Sequence, residues 1–346
     1  MSWDGKLKAW VAALVGTLFL AAGMTGAAAE TPAPLDPPQK VKVAYVPIMK
    51  FATMYVAAGR GLFKKYGLDV DLEKVKSGTE AIAFLSQGSV DVGGIAIVTS
   101  LWNSWNRGLD IRVIAPGGLE PLKDSPTALL VATKSADKVK DIADLKGKKL
   151  AVAGGPGSGG EYLAAKALER AKLTIRDVEL VNIGNPDIPA ALQSGSVDAA
   201  IAGTPYSDQA VETGSAKVLA TDLTPGLMTV AFVGSGKFIK ERPEVAERFV
   251  LALTEAARMM QGKDYLSKEN IDAYMKYTAT TEEALKKATP SVYDPDMEIP
   301  VKGLADVERV HRENGRTDYD TPINLKKVVD TQFVDKALAD LGKAKN

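Results

Sequence analysis

Apolar runs of strand length alternate along this chain with segments of helical period. VKVAYVP (41–47) and LDVDLEKV (68–75) read as strands, and the stretch between them, from about Phe51 to Tyr66, reads as a helix. The same order returns later: KLAVAGG (149–155) is strand-like, Glu161 to Lys172 is helical, and DVELVNI (177–183) is again a strand. Each series runs into nearly the same words, LSQGSVD at 85–91 and LQSGSVD at 192–198, 107 residues apart. A β-α-β-α-β order is therefore used twice, which calls for two mainly parallel sheets covered by helices on both faces. Inside the repeated words the leucine closes a helix, Gly88 or Gly195 supplies a left-handed cap, and Val-Asp91 or Val-Asp198 opens the next strand.

Two further strands, TALLVAT (127–133) and LMTVAFV (227–233), follow the turn signals Pro126 and Pro225-Gly226. They read as two crossings between lobes. Residues 40–126 with 234–346 then form one lobe and 134–224 the other, with 127–133 and 225–233 as hinge crossings. Beyond Lys237 the pattern is helical: Pro243 to Gln261, Lys268 to Tyr277, Glu282 to Ala288 and a last helix near Lys326 to Leu341, interrupted by YDPDMEIP (293–300).

Ahead of the fold, Lys6 and Lys8 precede an apolar run from Ala9 to Ala22, and small residues end at Ala27-Ala28-Ala29. Residues 1–29 read as a secretory signal, because the run is shorter than the roughly 20 residues a spanning helix needs. Residues 30–39, ETPAPLDPPQ, read as an unstructured lead. The chain of 346 residues has 43 basic and 43 acidic side chains and no cysteine. Charge balance gives no footprint for nucleic acid or an anionic membrane. The missing cysteine removes disulfides, thiol nucleophiles, thiolate metal sites and a lipid-bearing cysteine. The single histidine, His311, has Arg309, Arg312 and Glu313 as neighbours and reads as part of a solvated helix face. Neither a Ser-His-Asp nor a Cys-His set is suggested, and no catalytic, metal or cofactor residue is assigned.

In open α/β sheets ligands sit at the carboxyl ends of strands, near helix N-termini. Five loops qualify: PIMKFAT (47–53), KSGTEA (76–81), AIVTS (96–100), GGPGSGGEY (154–162) and AGTPYSD (202–208). They offer many neutral donors and few charges. Gly155-x-Gly157-x-x-Gly160 followed by Glu179 formally matches a dinucleotide fingerprint, so an oxidoreductase is one reading. The other is an anion cradled by backbone amides at a helix start. KSGTEA is both a capping box, Ser77 with Glu80, and a candidate wall through Thr79. Thr99 and Ser100 are candidate caps of the helix carrying Trp102 and Trp105. Lys50 is either solvated or the partner of an anion.

The succession VPIMKFATMYVAAGRGLFKKYGLDVDLEKV, GTEAIAFLSQGSVDVGGI and DLKGKKLAV resembles the nitrate/sulfonate/taurine branch of periplasmic solute-binding proteins of ATP-driven importers, with the thiamine-precursor pyrimidine proteins in the wider group. The resemblance spans about 41–262. It implies a two-lobed clamp that closes on a small molecule and presents it to a membrane permease; the expected ligand is a small oxyanion of sulfonate, nitrate or carboxylate type, and the signal layout with the missing cysteine places the protein, read as a monomer, free in the periplasm. Gly157, Ser158 and Tyr162 fit the family's glycine-loop pattern, while Glu161 stands where a histidine is usual. Gly203 and Thr204 stand before Pro205 where an aromatic and an acid are common, leaving more room and less negative charge. The ligand is expected among Ile48, Lys50, Phe51, Thr79, Thr99, Gly157, Ser158, Gly159, Thr204 and Tyr206, with its apolar part against Ile48, Phe51 and Tyr206. Two alternatives stay open, a periplasmic sensing subunit and a receptor for a thiamine-related pyrimidine. The eukaryotic pyrimidine synthases of this fold use cysteine and histidine residues that this chain lacks.

Overall fold

The computed structural model describes residues 31–344. The segment read as a secretory signal lies outside the described residues. Among them no helix is long and apolar enough to cross a membrane.

The strands are β1 (Gln39–Tyr45), β2 (Leu68–Lys74), β3 (Val92–Ala96), β4 (Ile111–Pro116), β5 (Ala128–Ala132), β6 (Lys149–Val152), β7 (Glu179–Asn182), β8 (Ala199–Ala202), β9 (Ala216–Ala220) and β10 (Val230–Ser235). They form two five-stranded sheets with orders β2-β1-β3-β10-β4 and β7-β6-β8-β5-β9. In the first, β1 pairs parallel with β2 and β3, and β10 runs antiparallel between β3 and β4. The second repeats this, with β6 parallel to β7 and β8, and β5 antiparallel between β8 and β9. Each sheet is thus mainly parallel, and its antiparallel strand arrives from the other half of the chain. The runs expected as crossings supply inner strands, β5 and β10, which are buried at every position. The backbone passes between the sheets in 117–127 and 221–229, where no regular element forms.

Burial explains the sequence pattern of each strand. β5, ALLVA, and β10, VAFVGS, are covered on both faces and carry no charge. At a sheet edge, β2 alternates, LDVDLEK, with Leu68 buried and its acidic residues exposed.

The repeated words do the same work twice. Gly88 (φ 69°) ends the helix Gly78–Gln87, and Gly195 (φ 75°) ends the helix Ile188–Ser194, in the left-handed region open to glycine. Three residues on, each aspartate stitches its strand to the first strand of its unit. Lys42 N–H donates to Asp91 Oδ2 at 2.9 Å, and Lys149 N–H donates to Asp198 Oδ2 at 3.0 Å. The opposite bonds, Asp91 N–H to Lys42 O and Asp198 N–H to Lys149 O, are both 2.9 Å.

Three details differ from expectation. The helix read over 51–66 is broken by Gly61 (φ 74°) into Ala52–Gly59 and Leu62–Lys65, because Gly61 takes a conformation other residues avoid. The lead before β1 has no helix or strand, yet Leu35 N–H donates to Tyr66 O at 3.3 Å and its side chain packs on the core. His311 is not on a solvated face. It lies on the helix Val301–Glu313 with 0% exposure, its ring edge-on to Tyr162 and its Nε2 3.2 Å from Ser158 O.

The C-terminal segment around that helix touches both halves. Tyr162 OH donates to Asp306 Oδ2 at 2.7 Å, and Arg316 Nε donates to Glu161 Oε1 at 2.9 Å. On the other side, Asn103 Nδ2 donates to Arg316 O at 3.3 Å and Asp318 N–H to Asn103 Oδ1 at 3.0 Å.

Candidate functional site

The carboxyl ends of β1, β2 and β3 face those of β6, β7 and β8, and the loops leaving them meet in a seam. Thr99 N–H donates to Gly157 O at 2.7 Å, Met49 N–H to Thr204 O at 3.2 Å, and Asn185 Nδ2 to Lys76 O at 3.3 Å. The glycines of GGPGSGG make this approach possible. A Cβ on Gly159 would lie 2.6 Å from Ala96 Cβ, and one on Gly157 would lie 2.8 Å from Thr99 Oγ1. A Cβ on Gly154 would lie 3.2 Å from Thr79 Oγ1. Gly154, Gly157 and Gly159 are thus explained by the closeness of the opposite lobe, while Gly155 and Gly160 are crowded within their own unit, by Asn182 at 3.2 Å and Val152 at 3.0 Å, so no nucleotide is needed to account for the pattern.

Behind the seam lies a partly enclosed cavity with about 80 Å³ of room for the centres of water-sized molecules. Its wall is mostly apolar, with Val46, Ile48, Val98, Leu163 and Ile201 prominent. The polar wall is made of hydroxyls and one amide side chain: Ser77, Thr127, Thr204, Thr229, Ser291 and Asn185. Thr204 Oγ1 and Ser291 Oγ are buried and make no hydrogen bond of normal geometry, with the Asp208 carboxyl near the first and the Tyr293 phenol near the second, so each retains bonding capacity. Gly159 and Gly160 begin the helix Gly159–Glu169 at the same wall, after Ser158 caps it by accepting from Glu161 N–H at 3.1 Å. No protein acceptor for the Gly159 and Gly160 amides occurs among the described residues. Two amides and the positive end of the helix are available to an anion.

Glu161, where the resemblance leads to a histidine, turns away from this task. Its carboxylate is fully buried, accepts from Gly157 N–H at 2.8 Å and pairs with Arg316. It holds the loop from behind.

Lys50 is the one ionisable side chain on the wall among the described residues. It is buried and ion-paired with Glu120, and it donates to Thr229 Oγ1 at 3.0 Å. Glu120 in turn accepts from Ser125 Oγ.

Of the ten expected residues, Ile48, Lys50, Gly159 and Thr204 line the cavity. Gly157 and Ser158 shape the loop behind Gly159, with Ser158 Oγ spent on capping. Phe51 is not on the cavity wall: it is fully buried, edge-on to Phe232 with centroids 5.4 Å apart, because a hydrophobic ring on the first turn after β1 points into the sheet-helix core. Tyr206 is likewise buried and off the wall, and burial with Asp187 nearby pushes its phenol up to about 12. Thr79 is exposed beside the seam, and Thr99 is buried in it with its hydroxyl unpartnered. Glu120, Thr127, Thr229 and Ser291 were missed. They come from the two crossings and the C-terminal region, where no strand-end motif marks them.

Two sheets of this order, joined by two crossings and closed over a cavity, define the two-lobed α/β periplasmic binding-protein fold. The NMT1-like family model matches residues 35–278, and the chain belongs to that family. A candidate binding protein of Brucella abortus (strain 2308) is 29% identical over 214 residues, which is 58% of this chain. The chain spans only 60% of that relative's length. Among solved structures, the alkanesulfonate-binding protein SsuA of Xanthomonas axonopodis pv. citri, bound to MOPS, superposes with TM-score 0.69 at 18% identity, covering 86% of this chain and 100% of SsuA. The periplasmic nitrate-binding protein NrtA of Synechocystis PCC 6803 gives TM-score 0.72 at 17% identity and 90% coverage of both. The fold is shared by an enzyme too, the desulfurization enzyme DSZB, at TM-score 0.62 and 16% identity over 87% of this chain and 99% of that one.

Proposed function

We propose that this protein is the solute receptor of an ATP-driven importer, exported to the periplasm, where it captures a small organic anion of sulfonate or carboxylate type and presents it to a membrane permease. The observation that carries the reading is the interlobe cavity, whose buried Thr204 and Ser291 hydroxyls retain bonding capacity on a wall shared with the free amides of Gly159 and Gly160. An acidic headgroup takes up those donors, and its apolar body packs on Ile48, Val98 and Leu163. Both lobes supply wall residues, so only the closed form makes all contacts, and the ligand biases the opening equilibrium toward it.

A binding role without chemistry is supported by the same wall. Its one ionisable group, Lys50, is tied to Glu120, and His311 lies outside the cavity behind the glycine loop. The names of the sulfonate and nitrate receptors that share the fold agree with an anion.

The test is the melting temperature of the purified protein against alkanesulfonates, taurine, nitrate, aromatic carboxylates and thiamine-related pyrimidines. A ligand at about 100 times its dissociation constant stabilises by roughly 2.7 kcal/mol, a shift of a few degrees. A shift confined to organic anions supports the reading. Shifts confined to pyrimidines, or none across the panel, reject it.

A further inference from the structure

The charge balance of the cavity is decided by a residue outside the five strand-end loops. Glu120 lies in the first crossing, 2% exposed, with one carboxylate oxygen on Lys50 and the other on Ser125 Oγ. Its backbone is fixed to the second crossing: Glu120 N–H donates to Leu227 O at 3.0 Å, and Gly226 N–H donates to Glu120 O at 3.1 Å. The carboxylate is therefore held where the two crossings meet, behind the wall residue Lys50.

Two of the three Lys50 ammonium protons are committed, to Glu120 and to Thr229. The pair is almost wholly out of water, 8% and 2% exposed, so its two charges cancel locally and neither is screened by solvent. A compact inorganic oxyanion entering here leaves its hydration behind. It meets a cation already neutralised, and a carboxylate of its own sign one side chain further on. The helix N-terminus and hydroxyls alone must compensate. An organic monoanion has a second source of binding free energy, the burial of its apolar body against Val46, Ile48, Val98 and Leu163.

We propose that Glu120 determines specificity in this cavity: by neutralising Lys50 it makes the site select an organic monoanion over a compact oxyanion such as nitrate. The proposal rests on the cavity being the ligand site. Removing the carboxylate charge frees the Lys50 cation and opens the site to compact anions.

The experiment compares the wild-type protein with Glu120→Gln, using sodium hexanesulfonate and sodium nitrate as probes and sodium chloride at equal concentration as the salt control, read by melting temperature and titration calorimetry. Wild type is expected to be stabilised by hexanesulfonate and by nitrate no more than by chloride. Glu120→Gln is expected to bind nitrate at least tenfold more tightly than wild type. Should Glu120→Gln be only marginally folded, its melting temperature rises with nitrate concentration and not with chloride. The double variant Lys50→Met/Glu120→Gln, which has neither charge, refuses nitrate as wild type does. Wild-type binding of nitrate as tight as that of hexanesulfonate overturns the proposal, as does nitrate binding by the double variant. If hexanesulfonate binds wild type and nitrate ignores Glu120→Gln, the role of Glu120 falls while the receptor reading stands. If no organic anion binds wild type and Glu120→Gln still gains nitrate, the receptor's ligand class and with it the selection of organic anions fall, while the exclusion of compact anions by Glu120 stands.

Discussion

Gly159→Ala separates closure from folding within one residue. A Cβ there would stand 2.6 Å from Ala96 Cβ across the seam, against 3.4–4 Å for ordinary contact, so the lobes must part by about an ångström. Gly159 is the first residue of its helix and has no positive φ, so alanine adds no backbone strain. In the open form the substitution is harmless or stabilising by up to roughly 1 kcal/mol, through helix propensity and reduced freedom of the unfolded chain. In the closed form it overpacks the seam at about 1–3 kcal/mol. Since ligand binding requires closure, affinity should fall by roughly 5- to 150-fold. Titration calorimetry with the best anion of the melting panel measures this, and small-angle scattering at saturating ligand reports whether the protein still compacts. Because Gly159 also lines the cavity, the control is Ala96→Gly in the Gly159→Ala background, which removes the opposing methyl and restores affinity. Unchanged affinity in Gly159→Ala, or failure of Ala96→Gly to restore it, would refute the steric argument.

Other perturbations address the supports of the site. Arg316→Ala leaves the fully buried Glu161 carboxylate without its ion pair and should destabilise by about 3 kcal/mol. Adding Glu161→Gln should recover much of this in urea denaturation. Burial, opposed by the bond to Ser158 O and helped by Arg316, lowers the His311 pKa from 6.5 to about 4. The unfolded chain therefore takes up a proton that the folded one refuses. The stabilisation is complete above about pH 6.5 and lost as pH falls toward 4, up to about 3 kcal/mol in all. His311→Gln should flatten the stability profile in that window, and an unchanged slope would mean that other groups cause it. Asp91→Ala removes the acceptor of the Lys42 amide within β1 and Asp198→Ala that of the Lys149 amide at the start of β6, and each should cost about 1–3 kcal/mol. Lying in different sheets with no shared partner, their effects should add within about 0.5 kcal/mol in the double variant.

Much of the fold was legible because it depends on local rules. Two βαβ units follow from strand and helix periods separated by turn residues, and the repeated Leu-x-x-Gly-Ser-Val-Asp words turned out to be matched caps and stitches. The site was legible only in part. Gly159 and Thr204 follow from the rule that strand ends carry ligands, and both lie on the wall. Phe51 and Tyr206 follow from the same rule and are buried elsewhere, since loop membership does not say which face a side chain takes. His311 looked solvated among charged neighbours, but helical spacing places those neighbours on other faces of Val301–Glu313.

By itself the sequence determined the two β-α-β-α-β units, the capping glycines, the absence of thiol chemistry and the loops in which a ligand could sit. Each of these depends on residues within a few positions of one another, or on composition. The tertiary structure alone decided that β5 and β10 run antiparallel in the sheets they join, that the glycine loop is small because Ala96 and Thr99 press on it, and that Glu161 answers to Arg316. It also decided that Glu120 neutralises Lys50 across 70 residues of chain. These are contacts between groups remote in sequence, and burial makes their energies large: once water is excluded, each charge and each missing methyl is answered by whatever the fold has placed opposite it.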